Sequence, residues 1–265
     1  MHLAGCWSAT GNPAKEPYKN RETNTMKTET RNLLKKVSTA TLCTALFKRG
    51  LAKQFIQNVL PVGADHHTKH GNMVGEAFTL RYIPAREDLN KIDVFLNREH
   101  PQRKAVEECP TGSVMVIDSR KDARAASAGS ILVTRLMKRG VEGIVTDGGF
   151  RDSPEIGALA IHSYHSRPSA PTNLTMHQAL DINVPIGCGD APVWPGDVVV
   201  GDAEGVVIIP AGIADEIALE ATEMTAFEDF VTEKVLGGRS ILGLYPPTDP
   251  QSKTDFDVWR KANGR

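Results

Sequence analysis

Residues 114–146 constrain the fold more than any other part of the chain. Val114-Met115-Val116-Ile117-Asp118 is an unbroken apolar run closed by a carboxylate, as a buried strand is. Residues 127–139 have helical spacing, with Ile131, Leu132, Leu136 and Met137 inward, and Gly140 stops them. Residues 141–146 form a second short apolar run that ends at Asp147-Gly148-Gly149. Strand, helix and strand in that order make a βαβ unit, and a crossover helix obliges the two strands to run parallel. An α/β fold follows.

The flanking sequence is built around this unit. Residues 29–51 have helical spacing through Leu33, Leu34, Val37, Leu42, Ala45 and Leu46, and Ser38-Thr39 predicts a break between two short helices. Residues 75–83 read as a strand, and residues 88–98 and 101–108 as helical. Further short strands are expected at 162–166, 182–187, 197–201 and 205–209, before a long amphipathic helix over 213–235. Residues 1–25 are polar and aperiodic and read as a disordered leader, 26–245 as one domain, and 246–265 as a polar tail with Phe256 and Trp259 as docking points.

Composition narrows the function classes. The formal net charge is −1, which gives no sign of a nucleic-acid binder. No stretch approaches the roughly 20 apolar residues needed to span a membrane, and residues 1–25 lack the apolar core of a secretory signal. The four cysteines are widely spaced and form no CxxC pair, which argues against a disulfide framework and a zinc knuckle. A cytoplasmic protein is expected.

Chemistry concentrates where the second strand ends. The run Thr146-Asp147-Gly148-Gly149-Phe150-Arg151-Asp152 puts glycines, which let backbone N–H groups approach a ligand, beside adjacent charges of both signs. Arg151 can bind a carboxylate bidentately, and Asp152 is a hard oxygen donor suited to Mg2+ or Mn2+. Spacing alone leaves a surface ion pair or a turn as the alternative. Asp65-His66-His67-Thr68-Lys69-His70 resembles a metal motif but sits in a polar loop without partners, so a surface loop is expected. Asp118 opens a solvated charge run, and Asp202 and Glu204 suit a turn. Cys188 has no histidine base nearby in sequence.

The ordered series Ala128-Gly129-Ser130-Ile131-Leu132, Arg139-Gly140-Val141-Glu142-Gly143-Ile144-Val145 and Asp147-Gly148-Gly149-Phe150-Arg151-Asp152 resembles one family. Asn183-Val184-Pro185-Ile186, Pro195-Gly196-Asp197 and Gly201-Asp202-Ala203-Glu204-Gly205-Val206-Val207 extend the match, so that it covers roughly residues 31–245. The family is that of the 4-hydroxy-4-methyl-2-oxoglutarate aldolases and the RraA-like regulators of ribonuclease activity. The resemblance implies a compact β/β/α swivelling-type domain with N-terminal helices and a long C-terminal helix, assembled as a homotrimer or hexamer with the cleft between subunits. It implies a class II aldolase or decarboxylase that uses Mg2+ or Mn2+ and releases pyruvate from a small 2-oxo or hydroxy-oxo dicarboxylic acid. By the same resemblance Asp152 holds the metal, Arg151 binds the substrate, and the Ile131 and Leu132 amides hold its acid group.

Two positions depart from the family pattern. Ser130 stands where the aldolases carry an acidic residue, and no lysine lies between Asp152 and Lys234 where they use one. His177 falls near the lysine's place, as a substitute proton donor or as a packed loop residue; Ser130 and Asn90 are expected to contact substrate. Glu228 on the C-terminal helix, with Glu223 next, is the acid expected from a partner subunit as a further metal ligand. The alternatives are a non-catalytic regulator that binds ribonuclease E and a dehydratase that uses the same site.

Overall fold

The computed structural model describes residues 25–63 and 71–265, so the leader short of Thr25 and the histidine-rich loop at 65–70 lie outside the described residues. Helices α1 (Thr28–Leu34) and α2 (Thr39–Phe47) break where expected: Ser38 is the N-cap of α2, and its Oγ accepts from the Thr41 N–H at 3.1 Å. Strands β1 (Leu60–Pro61) and β2 (Met73–Pro84), helix α3 (Pro101–Glu108) and strand β3 (Val114–Asp118) follow. The middle of the chain runs β4 (Ala126–Ala128), α4 (Ser130–Lys138), β5 (Gly143–Thr146), β6 (Gly149–Phe150) and α5 (Ser153–Gly157). Strands β7 (His162–His165), β8 (Arg167–Pro168), β9 (His177–Ile182), β10 (Ile186–Cys188), β11 (Ala191–Val193), β12 (Val198–Gly201) and β13 (Val206–Ile209) come next. Helices α6 (Ala214–Leu236) and α7 (Pro250–Ala262) close the chain.

The main sheet has the order β1-β7-β5-β3-β2-β12-β13, with β9 also paired to β2, and curls into a nearly closed barrel. Strand β3 pairs parallel with β2 and β5, as the βαβ reading requires. Side chains alternate between two cores because successive strand residues face opposite sides. Val114 and Val116 point to the barrel interior with Val145, Tyr164, Val199 and Ile208, whereas Met115 and Ile117 pack outward against Val106, Val133 and Leu136 of α3 and α4. On the other flank Val198, Val200, Val207 and Ile209 meet Leu42, Leu46, Ile217 and Ala221 of α2 and α6. Both faces of the central strands are therefore covered, which is why they read as continuous apolar runs.

Three elements differ from expectation. Residues 88–98 contain only a 3-10 turn, Ile92–Leu96, because Asn90 Oδ1 accepts from the Arg86 N–H at 2.7 Å and holds a turn in place of a helix. The strand expected at 182–187 is instead the two strands β9 and β10, separated by Asn183 at a φ of 55°. The tail folds as α7, which packs on α6 through the ring of Phe256, 5.2 Å from that of Phe227, and through a Trp259 Nε1–H donated to Glu233 at 2.6 Å.

Candidate active site

Strands β4, β6 and β8 form a small separate sheet. β4 and β6 are parallel neighbours, so the residues leaving their C-terminal ends emerge side by side. Gly129 leaves β4 and is the N-cap of α4; Arg151 and Asp152 leave β6, and the Arg151 N–H donates to the Ala128 carbonyl at 3.1 Å. Asp152 has a left-handed backbone, φ 54° and ψ 39°, which Asp tolerates better than most residues. That turn brings its carboxylate back to the N-terminus of α4, where Oδ2 accepts from both the Ser130 N–H and the Ser130 Oγ–H at 3.2 Å. Its other oxygen, Oδ1, lies 3.5 Å from Arg151 Nε.

Electrostatics favour the ionised acid. The Ser130 N–H, at a helix N-terminus, and the Arg151 charge hold the Asp152 carboxyl below the usual carboxylate range. Gly129 makes the approach possible: a Cβ there would lie 2.8 Å from Arg151 Cγ and 2.9 Å from Asp152 Oδ2. The first turn of α4 also leaves one donor open. The Leu132 N–H turns back to the Gly129 carbonyl at 3.1 Å, whereas the Ile131 N–H has no acceptor among the described residues. Of the two amides expected to hold an acid group, Ile131's is the available one.

Arg151 and Asp152 stand between two hollows. The larger, about 690 Å³, is mostly apolar, lined by Val62, Phe150, Pro154 and Pro168. Its His165 has a pKa pulled down to about 4 by burial and is neutral at pH 7. The smaller cleft, about 200 Å³, is the chemically equipped one: the α4 N-terminus, Arg151 and Asp152 face Arg103 and Gln102 of α3, with Thr172 and Asn173 beside them. Arg103, Gln102, Thr172 and Asn173 were not singled out by sequence, because helical spacing locates α3 but does not say what its polar face meets.

Ser130, Ile131, Leu132, Arg151 and Asp152 are thus brought together; His177 and Asn90 are not, and Glu228 and Glu223, expected from a partner subunit, lie on α6. His177 is fully buried at the start of β9, its Nε2 2.9 Å from the Asp122 carbonyl. It stands behind Asn173, whose side-chain amide donates to the His177 carbonyl at 3.3 Å, and burial lowers its pKa. Asn90 is spent on its turn and lines neither hollow. Glu228 faces α2 and accepts from Thr41 Oγ1 at 2.8 Å, while Glu223 accepts from Arg260 at 2.6 Å.

The remaining acids and the cysteine have structural duties. Asp147, buried between strand ends, accepts from the N–H groups of Ser119, Lys121 and Gly189, and burial pushes its carboxyl up to about 6. Asp118 accepts from the Arg120 N–H, and Asp202 from the Thr39 N–H and hydroxyl at the start of α2. The Cys188 thiol is fully buried and pushed up by desolvation, which suits a packed residue and not a nucleophile.

A family model described as RraA-like, Aldolase/RraA, matches residues 39–208. The chain belongs to that family. A candidate 4-hydroxy-4-methyl-2-oxoglutarate aldolase of Halalkalibacterium halodurans is 35% identical over 126 residues, 48% of this chain and 60% of that protein. A candidate aldolase of the same kind from Pseudomonas paraeruginosa is 28% identical over 42% of this chain and 68% of its own length. The match thus spans well under the full length of the first relative. Among solved structures, RraAS2 of Streptomyces coelicolor, described as an unusual member of the RNase ES inhibitor RraA family, superposes with a TM-score of 0.68 at 26% identity over 78% of this chain and 96% of that one. These likenesses fix the RraA fold, and the cleft falls inside the matched region. No described helix of this RraA-family chain is long and apolar enough to cross a membrane.

Proposed function

We propose that this RraA-family protein is a divalent-metal-dependent lyase that cleaves or decarboxylates a small 2-oxo acid and releases pyruvate. The observation that carries the reading is the convergence of an ionised Asp152, the Arg151 guanidinium and the open Ile131 amide on one cleft. The aldolase names of the relatives support the same chemistry.

The donors fit a hard cation held largely by water and substrate. Asp152 offers carboxylate oxygen on the cleft side, and among the described residues no group of three or more His, Cys, Asp or Glu could build an all-protein cage. Mg2+ commonly takes one or two carboxylates and keeps several waters. When bound through Asp152, with Glu228 of a neighbouring copy in a homotrimer as a further donor, Mg2+ or Mn2+ supplies Lewis-acid polarisation of the keto oxygen.

The chain's own groups do the rest. Arg151 and the Ile131 N–H bind the acid end of the substrate and fix its orientation. The guanidinium lies against the negative charge that grows on the keto oxygen as the C–C bond breaks. Ser130 holds Asp152 in place and ionised, the work of a positioning residue. His177, buried behind Asn173, drops out as proton donor, so solvent water protonates the carbon in this reading. A regulator that only docks on a ribonuclease in the cytoplasm needs none of these groups, and a dehydratase is the next substrate class to assay.

The test is pyruvate release from oxaloacetate and from 4-hydroxy-4-methyl-2-oxoglutarate by purified protein with Mg2+, with Mn2+ and with excess chelator. Metal-dependent release that the chelator stops is expected. Release no faster than in protein-free buffer with either metal removes the lyase reading.

A further inference from the structure

The cleft holds a second cation with no counter-charge. Arg103, in the first half of α3, lines the cleft opposite the α4 N-terminus. Its guanidinium carbon lies 4.5 Å from the centroid of the Phe95 ring, and that ring is met edge-on by the buried His100 ring at 5.0 Å and 70°. Stacking of this kind fixes the plane of an arginine while leaving its N–H edge free to bind.

The nearby acids are all engaged elsewhere. Glu99 and Glu108 pair with Lys104 at 2.7 and 3.8 Å, and Glu107 pairs with Arg135 at 2.7 Å and Arg139 at 3.7 Å. No carboxylate lies within ion-pair distance of Arg103 among the described residues. Burial lowers its pKa, the mark of a cation that has lost water without gaining an anion. Partly desolvating a cation without a partner is unfavourable, and a ligand anion relieves the cost. Among the described residues Asp152 is the sole acid lining this cleft, against the two cations Arg103 and Arg151, while Gln102, Thr172 and Asn173 add neutral polar groups. At about 200 Å³ the space is below the range of drug-sized sites and suits an acid of a few carbons.

We infer that Arg103 is a specificity-determining residue that grips a second carboxylate, at the end of the substrate remote from the 2-oxo acid group. The inference rests on the lyase reading for the identity of the first end, which Arg151 and the Ile131 amide hold. A 2-oxo dicarboxylate is the class the family resemblance implies; the new element is that the preference for the second carboxylate lies in α3 and not in the Arg–Asp pair. A charged hydrogen-bonded contact of this type is worth about 10- to 100-fold in affinity.

Calorimetric titration of 2-oxoglutarate and of 2-oxopentanoate, in the presence of Mg2+, tests this on probes of equal chain length that differ in the second carboxylate. Wild type is expected to bind 2-oxoglutarate at least about tenfold more tightly. Arg103→Met, which keeps an unbranched side chain over the Phe95 ring, is expected to erase that preference while leaving 2-oxopentanoate affinity within about twofold; Arg103→Lys restores part of it. A wild type without the preference, or an Arg103→Met variant that keeps it, overturns the inference whatever the turnover assay gives. The preference with its loss in Arg103→Met, but no pyruvate release, leaves the anion clamp standing and removes the lyase. Binding of neither acid by wild type overturns both.

Discussion

Asp152→Asn lowers metal-dependent pyruvate release by at least about 100-fold and shifts the thermal midpoint by no more than about 2 °C. The two halves of that expectation have separate physical grounds. Asn is among the few residues that tolerate a left-handed backbone, so the φ of 54° is kept without new strain. Its amide oxygen can still accept from the Ser130 N–H and hydroxyl, so the turn between β6 and α5 stays closed. What disappears is the negative charge, and with it the hard anionic donor that a divalent cation needs. A dehydrogenase-coupled pyruvate assay and a circular-dichroism melt on the same preparation check both halves. Wild-type turnover in Asp152→Asn places the chemistry elsewhere.

Gly129→Ala is expected to cost about 10- to 100-fold in kcat/KM, although it touches no reacting atom. Gly129 has an extended backbone, φ −126°, so alanine meets no backbone strain there. The effect is local crowding: the added Cβ falls 2.8 Å from Arg151 Cγ, 3.1 Å from Arg151 Cδ and 2.9 Å from Asp152 Oδ2, and both side chains must move. Glycine also caps a helix better than alanine does, so a stability loss of about 1 kcal/mol accompanies the change. Gly187→Ala is the control, since a Cβ at Gly187 meets nothing within 4 Å. Unchanged kcat/KM in Gly129→Ala means that the Arg151–Asp152 geometry is not what the reaction depends on.

How far the sequence reads ahead depends on the length of each element. The βαβ unit at residues 114–146 and the long helix α6 carry enough periodic positions to be seen without a structure. The small sheet that builds the site does not. β4 and β6 have three and two residues, too few to show alternation, and Ser127 and Ala128 of β4 read as the start of the following helix. The candidate residues Gly129, Arg151 and Asp152 nevertheless stand out in the sequence, because they sit at strand ends marked by glycines and charges. The sequence left His177 between two roles for a different reason. Its distance along the chain from Asp152 matched a family position, but β9 pairs antiparallel with β2 and turns His177 and Ala179 inward on the same face. Arg103 shows the opposite limit: its helix was read correctly, and only packing against Phe95 and α4 reveals what that face meets.

The most direct measurement is the Mn2+ electron paramagnetic resonance spectrum of wild-type protein and of Asp152→Asn, with and without oxalate as a non-reacting stand-in for the 2-oxo acid end. Wild type is expected to deplete the free-ion signal, more strongly when oxalate is present, and Asp152→Asn to leave it at the level of protein-free buffer. Equal depletion by the two proteins would contradict a metal held at Asp152 in the cleft between α3 and α4.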